Sequence, residues 1–173
     1  DLPGDYLSPF AQTGRPILQL IDAGKPLPQA SIALNQNLGA QIPERDGLMR
    51  LCGLSYALLR KRFRQATAHE VTESVERCLL TLGAADPEGH TLTMIYDLAP
   101  LIRARGMTLV VVAGAHNEQL QSLRRRDDLN TWMELHENVT DMAGLMAGCQ
   151  LAVSAAGSTL WELCVMGLPR IVF

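Results

Sequence analysis

Apolar runs alternate with helical patterns through the second half of the chain. Five mainly apolar runs predict strands, and they lie at residues 77–82, 108–113, 132–136, 151–153 and 171–173. Apolar residues at helical spacing predict helices between them, at residues 91–105, 141–148 and 158–166, and a short polar helix that ends near Arg126. Such alternation is typical of a parallel sheet covered by helices on both faces. The pattern predicts an α/β, Rossmann-like domain over residues 75–173, with strand 151–153 in a central position.

Residues 1–74 carry a weaker pattern. Residues 17–21 and 31–34 predict two short strands, and the apolar segment 51–59 is interrupted by polar and small residues. The basic cluster at 60–64 is more typical of a solvated surface than of a binding site. We therefore predict part of an N-terminal α/β domain and a linker, with a domain boundary near residue 74.

Composition narrows the classes of function. The 173 residues are 47% hydrophobic and only 5% aromatic, with a net charge of −3, so a nucleic-acid-binding surface is not expected. The longest apolar runs are too short to span a bilayer. Four cysteines show neither C-x-x-C nor zinc-ligand spacing, which favours reduced thiols and no metal site. We expect a cytoplasmic protein that binds neither nucleic acid nor membrane.

A small-residue turn near the C-terminus is the first candidate site. Residues 154–157 are Ser, Ala, Ala and Gly, and they join strand 151–153 to a helix that opens at Ser158 and Thr159. Such a turn directs free backbone N–H groups and the positive end of the helix dipole toward a ligand, which suits phosphate. Glu162, one turn into the helix, could accept hydrogen bonds from ribose hydroxyls. The alternative is a capping box, in which Glu162 bonds to the Thr159 N–H.

Three of the four loops that follow the predicted strands contain glycine. The four segments are 83–86, 114–117, 137–139 and 156–159. Ligands of parallel α/β sheets bind beyond the carboxyl ends of the strands, where these loops meet. The glycines allow a ligand to approach the backbone closely, and this favours a phosphate-bearing ligand.

Two long segments carry a resemblance to a known family. Residues 136–143 read His-Glu-Asn-Val-Thr-Asp-Met-Ala, and residues 151–169 read Leu-Ala-Val-Ser-Ala-Ala-Gly-Ser-Thr-Leu-Trp-Glu-Leu-Cys-Val-Met-Gly-Leu-Pro. With the segments 34–39, 52–63 and 82–87, they resemble the UDP-2,4-diacetamido-2,4,6-trideoxy-β-L-altropyranose hydrolases of pseudaminic acid biosynthesis. The resemblance keeps its order over about residues 17–173. It implies a UDP-sugar hydrolase whose architecture is similar to that of GT-B glycosyltransferases.

The resemblance also implies roles for individual residues. Glu162 would bind the ribose hydroxyls, and Gly157, Ser158 and Thr159 would hold the diphosphate. The slot for uracil would be lined by Asn138, Val139 and Met142. Gly83 and Ala84 would border the phosphates. The implied partner is UDP or a UDP-sugar, with no further cofactor.

The sequence departs from the family pattern at several positions. Gly83-Ala84 replaces a Gly-Gly pair, and Asp22-Ala23 replaces an Asp-Asp pair. The Gly-rich loop that carries the family's proposed catalytic histidine has no counterpart here, so we expect a fragment that carries mainly the UDP-binding half. His116 and His136 are interpreted as surface or structural histidines. The alternatives to the hydrolase are a GT-B glycosyltransferase and a non-catalytic nucleotide-binding module.

Overall fold

Two parallel sheets organise the chain. The computed structural model describes residues 5–68, 70–83, 86–125 and 131–173. The chain divides into two compact units, Asp1–Leu58 and Leu59–Phe173. Each sheet lies within one unit, so the two units are described separately.

The first unit contains a three-stranded parallel sheet. A short helix, α1 (Ser8–Ala11), precedes strands β1 (Leu18–Leu20), β2 (Ile32–Asn35) and β3 (Met49–Cys52), which lie in the order β1-β2-β3. A 3-10 turn follows at Leu54–Tyr56. The strands predicted at 17–21 and 31–34 are β1 and β2. The sequence pattern did not predict β3, because its four residues include a charged Arg50 whose guanidinium is paired with Glu44.

One face of this sheet is entirely aliphatic. The strand register places six side chains on it, namely Leu18, Leu20, Ile32, Leu34, Met49 and Leu51. Three of the four side chains on the two outer strands are largely open to solvent: Leu18 is 53% exposed, and Leu20 and Met49 are each 58% exposed. The opposite face packs on a small core of Ile21, Ala33 and Ile42.

The second unit is a doubly covered parallel sheet. Its elements are α2 (Lys61–Gln65), β4 (Arg77–Thr81), α3 (His90–Ala104), β5 (Thr108–Ala113), α4 (Leu120–Arg124), β6 (Met133–Glu137), α5 (Met142–Ala147), β7 (Leu151–Ser154), α6 (Thr159–Met166) and β8 (Arg170–Val172). All neighbouring strands are parallel, in the order β6-β5-β4-β7-β8. The predicted α/β class is therefore confirmed. The strand predicted to be central, β7, is an interior strand, while β4 occupies the middle position. The predicted helix end at Arg126 lies outside the described residues.

Alternating side chains give this sheet a core on each face. One core joins residues of β4, β5 and β7 to α3 and α4, and it includes Leu80, Ile95, Ile102, Leu109, Val111, Leu123 and Val153. The other joins the same strands to α2, α5 and α6, and it includes Phe63, Leu79, Val110, Met142, Met146, Ala152, Leu163 and Met166. Phe63 is 1% exposed, so α2 is anchored in the second unit. The domain boundary predicted near residue 74 falls inside this unit. None of the helices in the described ranges is long and apolar enough to cross a membrane.

Candidate functional site

A pocket of about 360 Å³ opens at the carboxyl ends of β4, β5 and β6, beside the start of α6. Its lining residues are Arg60, Thr81, Gly83, Val112, Ala113, Gly114, Ala115, His116, Asn138, Val139, Met142, Thr159 and Glu162. A larger cavity, about 820 Å³, lies in the first unit beside β3 and contains none of the predicted site residues. The pocket at the sheet edge is therefore the one that matches the sequence prediction by position.

The pocket brings together residues that the sequence analysis selected far apart in the chain. Six of the predicted site residues line it, namely Gly83, Asn138, Val139, Met142, Thr159 and Glu162. Gly157 and Ser158 lie in the turn directly before Thr159. Ala84 lies outside the described residues. Ligand contact by each of these residues stays a prediction.

The N-terminus of α3 is closed by a side chain of the chain itself. The Asp86 carboxylate accepts hydrogen bonds from the backbone N–H groups of His90, at 3.0 Å, and Thr91, at 2.7 Å. Burial acts to raise the pKa of Asp86, but the hydrogen bonds from Thr91 and His90 outweigh it and hold this pKa below its usual value. A phosphate at the start of α3 would have to compete with this carboxylate.

The N-terminus of α6 has no such cap. Ser158 is the N-cap residue, and its side chain makes no capping hydrogen bond. The first backbone bonds of this turn are donated by Leu160 to Gly157 and by Trp161 to Ser158. Within the described residues, the N–H groups of Ser158 and Thr159 donate to no protein acceptor. Two backbone donors and the positive end of the α6 dipole are thus free beside the pocket.

Glu162 is buried and forms an ion pair that sequence analysis missed. Its Oε1 accepts from Arg60 Nε at 2.8 Å, and its Oε2 accepts from Arg60 Nη2 at 2.9 Å. The hydrogen bonds from Arg60 take the place of the capping-box bond to Thr159, so the structure does not adopt that alternative. The Arg60 guanidinium also lies 5.1 Å from the centroid of the Phe63 ring. A buried carboxylate requires such a paired charge.

The sequence pattern places Arg60 in a basic cluster typical of a solvated surface, because nothing in its local sequence points to Glu162. The two residues are separated by 102 positions in the chain. The available signal was the family resemblance, since Arg60 falls within the matched segment 52–63.

The backbone at the end of β6 turns sharply into the pocket. Asn138 has a φ of +49°, in the left-handed region that asparagine tolerates better than most residues. Its N–H donates to the Ala113 carbonyl oxygen at 3.3 Å, which ties this turn to the end of β5. Asn138 and Val139 therefore border the pocket at the position where the resemblance predicts the uracil slot.

The two candidate histidines lie in different environments. His116 is exposed and lines the pocket from the loop after β5. His136 does not line it, and its Nε2 lies 3.1 Å from Glu134 Oε2. Arg77 donates two hydrogen bonds to Glu134, at 2.6 and 2.7 Å. These bonds lower the pKa of Glu134 to about 2. His136 is thus part of a salt-bridge cluster, as its structural interpretation predicted, whereas His116 faces the candidate site.

Within the described residues, no group of three or more His, Cys, Asp or Glu is placed to hold a metal ion. The unbonded N–H groups at the start of α6 suit an anionic ligand. The charge of Arg60 is balanced by that of Glu162.

Comparison with known proteins gives three informative relatives, while no family model matches the chain. The chain is 23% identical over 156 residues to an uncharacterised protein of Methanocaldococcus jannaschii, a match that covers 83% of the chain and 32% of that protein. It is 28% identical over 123 residues to the spore coat polysaccharide biosynthesis protein SpsG of Bacillus subtilis, and this match covers 69% of the chain and 36% of SpsG. It is 34% identical over 95 residues to the UDP-N-acetylglucosamine--N-acetylmuramyl-(pentapeptide) pyrophosphoryl-undecaprenol N-acetylglucosamine transferase of Sulfurimonas denitrificans. This match covers 54% of the chain and 27% of the transferase.

The chain spans about a third of the length of these curated relatives. The doubly covered parallel sheet is consistent with a Rossmann-like, GT-B-like domain.

Proposed function

We propose that this chain carries the UDP-binding half of a UDP-sugar hydrolase of the pseudaminic acid type. The observation that carries the proposal is the contrast between two helix N-termini at one sheet edge. That of α3 is occupied by the Asp86 carboxylate, and that of α6 has two unbonded N–H groups in the described part of the chain, next to the buried Glu162.

The diphosphate would therefore bind at the start of α6. Ser158 and Thr159 would supply backbone donors, Gly157 would let the diphosphate approach the turn closely, and the helix dipole would favour the negative charge. Gly83 would border the same phosphates. Its φ is +101°, and a side chain there would meet no atom within 4 Å, so the space in front of its backbone is open to a ligand. Ala84 is proposed for the same border.

The nucleoside would occupy the other end of the pocket. Glu162 would accept hydrogen bonds from the ribose hydroxyls, because its two carboxylate oxygens keep acceptor capacity beyond the bonds from Arg60. The backbone at Asn138 and Val139 would recognise uracil, with Met142 as an apolar wall. This arrangement is supported by the position of all four residues in one pocket.

In the proposed reaction, water attacks the anomeric carbon and the bond from that carbon to the diphosphate oxygen breaks. The departing UDP carries the developing negative charge, which the α6 N–H groups and dipole would stabilise. A positioned base must take the proton from the attacking water. The family resemblance assigns that role to a histidine in a loop that these 173 residues do not contain. This chain would therefore supply the leaving-group half of the site.

A second candidate function is glycosyl transfer from a UDP-sugar. The similarity to an N-acetylglucosamine transferase over 54% of the chain favours it specifically. The same UDP site would serve both reactions, since only the attacking group differs. With the whole protein, a hydrolase releases UDP in water alone, whereas a transferase releases it only when an acceptor hydroxyl is added.

The test of the UDP site is calorimetric titration of the chain with UDP. We expect UDP to bind with equal affinity with and without EDTA, and more tightly than ADP. Glu162→Gln should weaken UDP binding by roughly 1.5–3 kcal/mol, the scale of a hydrogen bond to a charged group. Equal binding of UDP and ADP, or unchanged UDP affinity in the Glu162 variant, would overturn the assignment.

A further inference from the structure

The Arg60–Glu162 pair is unusually asymmetric in its exposure. The Glu162 side chain is 11% exposed, whereas the Arg60 side chain is 53% exposed. The pair therefore joins a carboxylate at the pocket wall to a cation that is largely in water. Because the carboxylate is the desolvated partner, loss of Arg60 would leave a buried charge without its compensating partner.

Arg60 contacts Glu162 through one side of the guanidinium. Nε and Nη2 each donate to a different carboxylate oxygen, at 2.8 and 2.9 Å. Two parallel hydrogen bonds fix the plane of the carboxylate as well as its position. The Phe63 ring, 5.1 Å from the guanidinium carbon, supports the cation. Since Phe63 is 1% exposed and packed in the core, this support is rigid.

Each carboxylate oxygen can accept about two hydrogen bonds. Arg60 uses one position on each oxygen, which leaves one on each for another donor. Two adjacent acceptors match the two hydroxyl donors of a ribose cis-diol. Arg60 and the ribose could therefore bind Glu162 at the same time, on different lone pairs.

We propose that Arg60 is a positioning residue that orients the Glu162 carboxylate for the ribose cis-diol of the nucleotide. This inference rests on the proposed function. Arg60 would then contribute to recognition of the ribose by holding Glu162 in place, without contacting the ribose itself. In the competing arrangement Arg60 leaves Glu162 and binds the diphosphate directly, and the two arrangements differ in how binding depends on the ribose hydroxyls.

The experiment compares UDP with 2′,3′-dideoxy-UDP, which has the same diphosphate and base but no cis-diol. Calorimetry on the wild-type chain should show UDP binding at least about tenfold more tightly, the effect of about 1.4 kcal/mol. Arg60→Ala should remove most of this preference by weakening UDP while leaving the dideoxy compound nearly unchanged. Arg60→Lys should also lose it, because an ammonium keeps the charge but cannot make the two parallel bonds.

Arg64→Ala is the matched control, since it removes one exposed positive charge from α2, the helix that directly follows Arg60, and should keep the preference. Circular dichroism of each variant checks folding, and Arg60→Lys tests the inference even if Arg60→Ala does not fold. If Arg60→Ala weakened the binding of both nucleotides equally, and Arg60→Lys restored it, Arg60 would contact the phosphates directly. That result would overturn this inference but leave the proposed function standing. A wild-type chain that binds neither nucleotide would overturn the proposed function, and the inference with it.

Discussion

At the scale of single residues, two arginine–glutamate pairs show different physical roles. Arg60 compensates a buried carboxylate inside the pocket. Arg77 pairs with Glu134 at the sheet surface, where their side chains are 33% and 40% exposed. The partners lie 102 and 57 positions apart in the sequence. Neither pair could be predicted from local patterns, because each depends on which strands and helices become neighbours in the fold.

The Glu134 pair predicts a specific dependence of stability on pH. Hydrogen bonds from Arg77 lower the pKa of Glu134 to about 2 in the folded state, from an ordinary 4.5. Its stabilisation should therefore be complete above about pH 4.5 and should be lost as the pH falls toward 2. Glu134→Gln should lower the free energy of unfolding at pH 7 by about 1 kcal/mol, since solvent screens a half-exposed pair.

Urea unfolding of the wild type and Glu134→Gln between pH 7 and 3 measures this effect. The difference between the two proteins should shrink as the pH falls. Exposed Glu73 provides a control, because Glu73→Gln should give no comparable pH-dependent difference. A difference for Glu134→Gln that stays constant across this range would show that Arg77 does not lower the pKa of Glu134.

At the scale of elements, the turns that precede α3 and α6 differ in capping: a carboxylate accepts hydrogen bonds from the start of α3, and among the described residues no side chain does so at the start of α6. Both were predicted from sequence as small-residue loops that suit phosphate. Asp86 was seen only as part of such a loop, and its capping bonds to His90 and Thr91 depend on a left-handed φ of +43° that the sequence does not reveal. The sequence thus located the sheet edge and most of the pocket, but it could not decide which helix start was free.

Removal of the Asp86 carboxylate from the start of α3 should lower stability without changing UDP affinity. Asp86→Ala should cost about 0.5–2 kcal/mol in the free energy of unfolding, the usual range when the first N–H groups of a helix lose a side-chain acceptor. Asp86→Asn should cost less, because its amide oxygen still accepts a hydrogen bond and asparagine tolerates the left-handed conformation. UDP affinity should stay close to that of the wild type, since the diphosphate is proposed to bind at α6.

Urea unfolding and UDP calorimetry on the same two variants provide both measurements. Clearly tighter UDP binding by Asp86→Ala would contradict the proposal. It would mean that the carboxylate had been blocking a phosphate site at the start of α3.

At the scale of the whole molecule, apolar periodicity predicted the parallel sheet of the second unit because its interior strands β4, β5 and β7 are covered on both faces. Runs such as Thr108–Ala113 are apolar at nearly every position for this reason. The first unit was harder to predict, since its strands have only three or four residues and one face is partly open. Strand order was also beyond the pattern, which placed β7 centrally, whereas β4 occupies that position.

The place of β4 between β5 and β7 has a consequence for folding kinetics. β5 pairs with β4 after a single intervening helix, α3, whereas β7 reaches the other side of β4 only after α3, α4 and α5. Closing the longer loop costs more entropy, so we expect the β4–β7 pairing to form after the β4–β5 pairing. The start of α6 directly follows β7, and its share of the pocket should therefore be among the last parts to assemble.

A nucleotide that needs this late segment binds only weakly to the folding transition state, so UDP should slow unfolding while leaving the refolding rate nearly unchanged. Stopped-flow measurements of both rates with and without UDP test this order, and faster refolding in UDP would contradict it.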